Sequence, residues 1–325
     1  MYLKKKSKTN LFYIGHFVIC LVIFIPLFSI LLLYHGPFTN YRDYIVSTSM
    51  GTNKNQIFAT WFLNKKEISS ILAKTNSVVI DSKQNVTKIQ IQKSNLSRTK
   101  VKIIDIKETN FKAKLMIIDD PSKISLGLAP TLGKSGATLS EIVKANNAIG
   151  GINAGGFLDD NLMGTGANPD GIVIQNGEIK FKQNGLSSFN IIGFNRNNIL
   201  VIGNSMTLDE IKKSNLRCAI SFGPALILNG KPLVSSSGTS LQPRSAIAQK
   251  KDGTVLLLAI DGRESDSAGA NFSDVQNVML KYGAYNAANL DGGSSTTLNY
   301  LNKTINNPCD ITGERLIATS YLITP

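Results

Sequence analysis

The stretch Thr254–Ser295, TVLLLAIDGRESDSAGANFSDVQNVMLKYGAYNAANLDGGSS, decides how the rest of the chain is read. It opens with an unbroken apolar run, Thr254 to Ile260, of the length expected for a buried strand. Ser273-Asp-Val-Gln276 then matches the capping-box pattern, in which side chains satisfy the orphan N–H groups at a helix start. A helix from Asp274 to Lys281 is therefore expected, ending near Tyr282-Gly283, with a second strand from Ala287 to Leu290. A strand, a helix and a strand joined in this way normally form a right-handed parallel crossover, which brings both strand C-termini to one edge of a sheet. Asp261-Gly262-Arg263 and Asp291-Gly292-Gly293-Ser294-Ser295 would then face a common crevice, the usual place for a ligand. Asp-Gly after a strand is also ordinary turn chemistry, and each motif alone is more often structural.

Upstream the same grammar recurs. From Arg98 onward, short β-rich runs alternate with Gly, Asn and Pro: VKIIDI (Val101 to Ile106), AKLMII (Ala113 to Ile118), GIVIQ (Gly171 to Gln175), NIIGF (Asn190 to Phe194), ILVIG (Ile199 to Gly203) and AIAQK (Ala246 to Lys250). Asn176-Gly177 and Asn229-Gly230 are hairpin-turn dipeptides. Thr138-Leu-Ser-Glu141 is a second capping box and predicts a helix over Leu139 to Ala145. That helix leads into Gly150-Gly-Ile-Asn153-Ala-Gly155-Gly156-Phe157, which would bring Asn153 to a similar edge if its strand joins the sheet. The expected fold class is α+β, a mixed β-sheet domain with a few helices over 98–325.

The N-terminus reads differently. Leu11 to Tyr34 is apolar and uncharged, long enough as a helix to cross the roughly 30 Å hydrocarbon layer, with Pro26 inside it. Lys4, Lys5, Lys6 and Lys8 precede it, so the positive-inside rule leaves residues 1–10 as a cytoplasmic tail and sends everything after Tyr34 outside. A cleaved signal peptide is the alternative, but the run ends Leu31-Leu-Leu-Tyr34-His35, without the small residues that signal peptidase needs. Residues 11–34 are thus expected to be a signal anchor in the cell membrane. Residues 35–97, rich in Lys, Asn, Ser and Thr, read as a stalk with a short helix around Ile57 to Leu72.

Charge and histidine count exclude several functions. Of the formal +13, residues 1–97 carry +9 (12 Lys+Arg, 3 Asp+Glu) and residues 98–325 only +4 (23 and 19), spread without a basic stripe. Nucleic acid is not an expected partner; anionic lipid or an anionic cell-surface glycopolymer suits the basic N-terminal part. Both histidines, His16 and His35, lie in or beside the apolar run. A Ser-His-Asp triad, a Cys-His pair and a histidine-ligated zinc are therefore excluded from the domain. Gly127-LAPTL-Gly133-Lys134-Ser135 imitates a phosphate-binding loop, but five residues separate its glycines where four are needed, and it reads as a surface turn. Cys218 and Cys309 are the only cysteines outside the apolar run; a disulfide between them and two free thiols are both open.

Seven segments, in order, resemble the phosphodiester glycosidase family: GGINAGGF (Gly150 to Phe157), GIVIQNGEI (Gly171 to Ile179), FGPALILNGK (Phe222 to Lys231), QPRSAIA (Gln242 to Ala248), AIDGR (Ala259 to Arg263), NLDGGSS (Asn289 to Ser295) and ERLIATSYLI (Glu314 to Ile323). The family includes an enzyme that removes N-acetylglucosamine from mannose 6-phosphate diesters, and bacterial proteins of exopolysaccharide biosynthesis. This chain departs from the common NGGF by inserting Ala154, and from DGGGS by placing Ser294 where a glycine is usual.

The resemblance implies an extracytoplasmic enzyme of cell-envelope metabolism that hydrolyses a sugar 1-phosphodiester between C1 and the bridging oxygen. Asp291 and Asp261 are the candidate catalytic carboxylates, one to stabilise the sugar cation or activate water. Arg244 and Arg263 are candidates for the phosphate, because a guanidinium offers two-point geometry and permanent charge. Asn153, Gly155, Gly156, Gly292, Gly293, Ser294, Ser295 and Glu314 complete the candidate substrate site, with Arg315 beside Glu314. No cofactor is required; a divalent cation between Asp261 and Asp291 is the one option left open. Two other readings stand beside this one: a non-catalytic polysaccharide-binding or assembly protein, and a metal-dependent phosphodiesterase cutting the P–O bond.

Overall fold

The computed structural model describes residues 2–50, 56–75, 84–85, 88–91, 100–158, 165–234, 241–310 and 312–325. Four helices come first: α1 (Tyr2–His35), α2 (Thr39–Met50), α3 (Ile57–Thr60) and α4 (Lys65–Thr75). Then follow β1 (Val101–Lys107), β2 (Lys112–Ile118), β3 (Ile124–Leu128), α5 (Leu139–Ala145) and β4 (Gly150–Asn153). The middle of the chain holds β5 (Phe157–Leu158), β6 (Asn168–Pro169), β7 (Ile172–Gln175), β8 (Glu178–Lys182), β9 (Ser188–Asn195), β10 (Leu200–Thr207) and α6 (Leu208–Lys213). Next come β11 (Leu216–Ser221), β12 (Ala225–Leu228), β13 (Lys231–Pro232), β14 (Arg244–Gln249) and β15 (Val255–Ile260). The chain closes with α7 (Phe272–Lys281), β16 (Asn286–Leu290), β17 (Leu298–Tyr300), β18 (Lys303–Thr304) and β19 (Thr319–Ile323). This is the mixed α+β architecture expected from the sequence.

The strands form three main sheets, ordered β1-β2-β15-β14-β16-β12-β13, β10-β9-β11-β7-β8 and β18-β17-β4-β19-β3. Each has one face on a shared core and the other under a helix. Along β15, Val255, Leu257 and Ala259 enter the shared core, while Leu256, Leu258 and Ile260 pack with Val275, Val278 and Met279 of α7. An uninterrupted apolar run is what a strand buried on both faces requires. The second sheet turns Ile172, Ile174 and Ile191 toward Ile211 of α6, and the third packs Leu322 against Leu139, Ile142 and Val143 of α5. Each fully buried large aliphatic side chain contributes about 1.5–3 kcal/mol, and this repeated burial holds the three sheets together.

β15 and β16 do run parallel, but not side by side. Both pair antiparallel with β14, which lies between them: Arg244 opposes Ile260 and Ser245 opposes Leu290. Asp261 and Asp291 therefore leave the same edge of the sheet with Arg244 starting between them. β4 belongs to the third sheet, so Asn153 reaches that edge from across the core instead of from within the same sheet.

α5 starts at Thr138 with the capping box formed by Glu141. The cap of α7 lies two residues earlier than the motif suggested: Asn271 accepts from the Asp274 N–H and Asp274 answers. Gln276, the supposed capping partner, instead accepts from the N–H groups of Leu233 and Val234 at 2.9 and 2.8 Å. Asn176-Gly177 and Asn229-Gly230 all have positive φ, the backbone of a tight hairpin turn. Cys218, buried in β11, and Cys309, half-buried, are both free thiols.

Within α1, Tyr13–His35 is long and apolar enough to cross a membrane and has little of its surface buried against the rest of the chain. The described part of 35–97 is largely helical, and Tyr34, Val46, Ala59, Leu63, Ile68 and Ile71 form a small apolar cluster at the end of α1.

Candidate active site

The turn after β16 carries the densest chemistry. The Asp291 N–H donates to the Ala154 carbonyl at 2.9 Å, and the Asn153 amide donates to the Asp291 carbonyl at 2.5 Å. The Gly293 N–H donates to the Pro243 carbonyl at 2.9 Å. Glycines allow this tuck: a Cβ on Gly292 would stand 2.8 Å from the Pro243 oxygen, and Gly293 has φ +58°. Ala154, inserted relative to the family pattern, is fully buried and supplies the carbonyl that anchors Asp291.

The Asp291 side chain is half-buried. Desolvation pushes its carboxyl up to about 6, against the opposing pull of the Ser295 hydroxyl, the Arg315 charge and the Gly292 N–H; the negative charge of Asp170 adds to the rise. Asp170 is exposed and is held in place by its N–H, which donates to the Gly156 carbonyl at 2.9 Å. Arg315 lies 4.9 Å over the Phe157 ring. Two carboxylates and a guanidinium thus share one local field, with aromatic surface beside them.

Arg263, at φ +63° after β15, reaches the same turn from the other side. Its Nη1 donates to Ser294 Oγ at 3.2 Å and contacts Cys309 Sγ at 3.7 Å, and its Nη2 donates to Gln242 Oε1 at 3.4 Å. Ser294, which replaces a glycine of the family pattern, is thereby the link between Arg263 and the Asp291 turn. Arg244 is less available: its Nε donates to the Ala270 carbonyl at 3.0 Å and its guanidinium stacks 4.2 Å over Phe272. Burial, then the nearby Arg263 charge, bring it down to about 10, with Asp274 opposing. It remains charged at neutral pH and adds positive potential beside Arg263.

Other candidates are engaged within the fold. Asn153 is fully buried; its Oδ1 accepts from Ser245 Oγ at 2.7 Å and from the Thr297 N–H at 3.1 Å. It ties β4 to β14 and positions the Asp291 turn. Asp261 shares the sheet edge, yet its Oδ1 accepts from Asn306 Nδ2 at 3.1 Å and from the Asn307 N–H at 2.9 Å. Burial raises its carboxyl, opposed first by the Asn307 N–H and then by Asn306. Gly155 donates to Thr319 Oγ1, and a Cβ on Gly156 would strike the Phe222 ring at 2.8 Å, so both glycines serve close packing here. Ser295 is buried against Asp291. Glu314 accepts from the Ser140 N–H at 2.9 Å, from Ser140 Oγ at 2.6 Å and from Thr304, which places it at the start of α5.

Among the described residues, no three His, Cys, Asp or Glu side chains are grouped to hold a metal ion. Asp170 and Gln242 were not singled out in the sequence. Asp170 precedes Gly171 in a turn with no local sign of its partner, and Gln242 gains its meaning only from Arg263.

The phosphodiester glycosidase family model matches residues 146–324, more than half of the chain and all of the turns just described. The chain belongs to the phosphodiester glycosidase family. It is 28% identical over 195 residues to the SPbeta prophage-derived uncharacterized protein YomE of Bacillus subtilis (strain 168), covering 56% of this chain but only 29% of that protein. Its fold is similar to the zebrafish N-acetylglucosamine-1-phosphodiester alpha-N-acetylglucosaminidase catalytic domain auto-inhibited by pro-peptide, with a TM-score of 0.59, 20% identity, and 74% and 91% of the two chains covered. It is also similar to a putative exported protein from Burkholderia pseudomallei, with a TM-score of 0.52, 16% identity, and coverage of 66% and 74%. At these identities the structural likeness speaks for the phosphodiester glycosidase fold alone.

Proposed function

We propose that the chain is a membrane-anchored, outward-facing hydrolase that cleaves sugar 1-phosphodiesters at the C1–O bond in cell-surface glycopolymer metabolism. The observation that carries this reading is the turn Asp291–Ser295, in which a carboxyl raised to about 6 by burial, within the electrostatic reach of Arg315 and Asp170, stands three residues before Ser294, the acceptor of the Arg263 guanidinium. A carboxylate beside cationic groups suits a substrate that develops positive charge at C1 while a phosphate monoester departs.

In the step itself, the bond between C1 and the bridging oxygen breaks and its electron pair leaves with the phosphate. A water oxygen then forms the new bond to C1 and gives up its proton to a carboxylate. Ionised Asp291 stabilises the oxocarbenium-like sugar or takes that proton. Arg263, and behind it Arg244, neutralise the departing phosphate, which as a weak base needs little protonation. Asn153, Gly292 and Gly293 hold the turn, and Ser294 ties it to Arg263. Asp261 anchors the Asn306-Asn307 loop at the rim. A divalent cation near Asp291 is not needed for this scheme.

The test is direct. The purified full chain should release free sugar and a phosphate monoester from sugar 1-phosphodiesters of small alcohols, and do far less with neutral aryl glycosides of the same sugar. Binding of a surface polysaccharide without release from any such diester would instead support the non-catalytic reading.

A further inference from the structure

We infer that the substrate is anchored in the same membrane leaflet as the enzyme: a sugar 1-phosphodiester whose other ester partner is a lipid. The inference rests on the function proposed above and on α1 spanning the membrane.

At its outer end α1 turns directly into the next helix. Only Gly36, Pro37 and Phe38 separate α1 from α2. The turn is tight, since the Gly36 N–H donates to the Leu32 carbonyl at 2.9 Å and the Arg42 N–H to the Phe38 carbonyl at 3.0 Å. Helices α2 to α4 then fold back on that end. Tyr34 stacks on Phe62 with ring centroids 4.5 Å apart, and its hydroxyl donates to the Phe58 carbonyl. The helices next to the membrane end therefore make a compact collar.

One glutamine joins this collar to the site. Gln242 Nε2 donates to the Ser47 carbonyl of α2 at 3.2 Å, while Gln242 Oε1 accepts from Arg263 Nη2 at 3.4 Å. Gln242 is buried, its backbone exchanges hydrogen bonds with Ala270, and the next residue, Pro243, receives the Gly293 N–H. The collar thus touches the domain at the rim that carries Arg263 and the Asp291 turn.

Chain geometry sets the distance. Four steps from His35 to Thr39 at about 3.5 Å, then eight residues of helix at about 1.5 Å, give an upper limit of roughly 26 Å from His35 to Ser47. Adding two side-chain hydrogen bonds keeps Arg263 within roughly 40 Å of the end of α1. An extended spacer over residues 36–97 would allow roughly 200 Å. The rim is held close to the bilayer where it could have been lifted far above it, and a crevice fixed there meets phosphates carried by lipids more often than those in bulk solution.

A cavity of about 460 Å³ beside the outer end of α1 adds to this picture. Tyr34, His35, Arg42, Lys66 and Glu67 are among its lining residues, with Arg42 paired to Asp43 and Glu67 accepting from the Asn64 N–H. With α1 spanning the bilayer up to His35, the basic side chains of this cavity fall at headgroup level, where anionic lipid is favoured.

The experiment uses the full chain reconstituted in phosphatidylcholine vesicles. Two probes carry the same sugar 1-phosphate, one esterified to a long-chain lipid alcohol in the same vesicles, the other to methanol in solution, at equal bulk concentration. The lipid ester should turn over at least tenfold faster, and the advantage should vanish when enzyme and lipid ester are in separate vesicles. A helical spacer of four EAAAK repeats inserted after Pro37, about 30 Å long, should also remove the advantage while leaving methyl ester turnover unchanged. Equal turnover of the two esters overturns the inference and leaves the proposed hydrolysis standing. Turnover of neither removes the hydrolytic reading and this inference with it.

Discussion

Replacing Asp291 by Asn should leave only a small residual activity and yet stabilise the protein at neutral pH. The folded state raises this carboxyl from 3.8 to about 6, chiefly by burial. A raised carboxyl pKa means that the folded state holds its proton more tightly than the unfolded chain does. Stability from this group is therefore fully present below about pH 4 and is lost as pH rises through about 6. The rise corresponds to a ceiling of about 3 kcal/mol at pH 8, at about 1.36 kcal/mol per pKa unit. Asn keeps the shape and an acceptor for the Ser295 hydroxyl and the Gly292 N–H, but carries no charge to desolvate. Calorimetry on the detergent-solubilised full chain at pH 4.5 and pH 8 is the assay. At about 2–4 °C per kcal/mol for a domain of this size, the variant should melt up to roughly 6–12 °C above the parent at pH 8 and much closer to it at pH 4.5. A variant that is less stable at pH 8, or shifted equally at both pH values, would show that Asp291 is not a strained, desolvated carboxylate.

Four further outcomes follow from the site. Arg263→Ala should slow hydrolysis by roughly 10²–10³-fold with Lys restoring only part, as expected for loss of charge and two-point geometry; Arg244→Ala should also lower the melting temperature, because its Phe272 stacking and its bond to the Ala270 carbonyl are lost. Glu314→Ala should cost about 1–2 kcal/mol through the unsatisfied start of α5 and leave turnover per folded molecule unchanged, measured by active-site-normalised rates. The rate should rise with pH through about 6 as Asp291 ionises, and this limb should be absent from the residual activity of Asp291→Asn.

The sequence made the edge of the main sheet legible because an apolar run, a helix and a second strand each end in a distinctive Asp-Gly turn. It did not reveal that β14 lies between β15 and β16: two parallel strands joined by a helix look the same in sequence whether they are neighbours or flank a third. The sequence pattern puts the start of α7 two residues late because Ser273–Gln276 matches the Ser/Thr-x-x-Glu/Gln box, while the box that forms uses Asn271 and Asp274 and leaves Gln276 to Leu233 and Val234. Polar roles were harder still. Asn153, Asp261 and Glu314 offer the same chemistry as Asp291 when read one at a time, but partners that define their roles, Ser245 for Asn153, Asn306 for Asp261 and Ser140 for Glu314, lie 45 or more residues away. Asp170, whose charge bears on Asp291, is held by a backbone bond to Gly156, which no local pattern announces.

In the proposed reaction the bond broken lies between C1 and oxygen, not between phosphorus and oxygen. Hydrolysis of a sugar 1-phosphodiester in heavy-oxygen water, followed by mass spectrometry of both products, tests it most directly. C1–O cleavage puts one labelled oxygen at C1 of the released sugar, trapped by immediate reduction, and none in the phosphate monoester. Label in the phosphate, with an unlabelled sugar, would mean a phosphodiesterase and would contradict it.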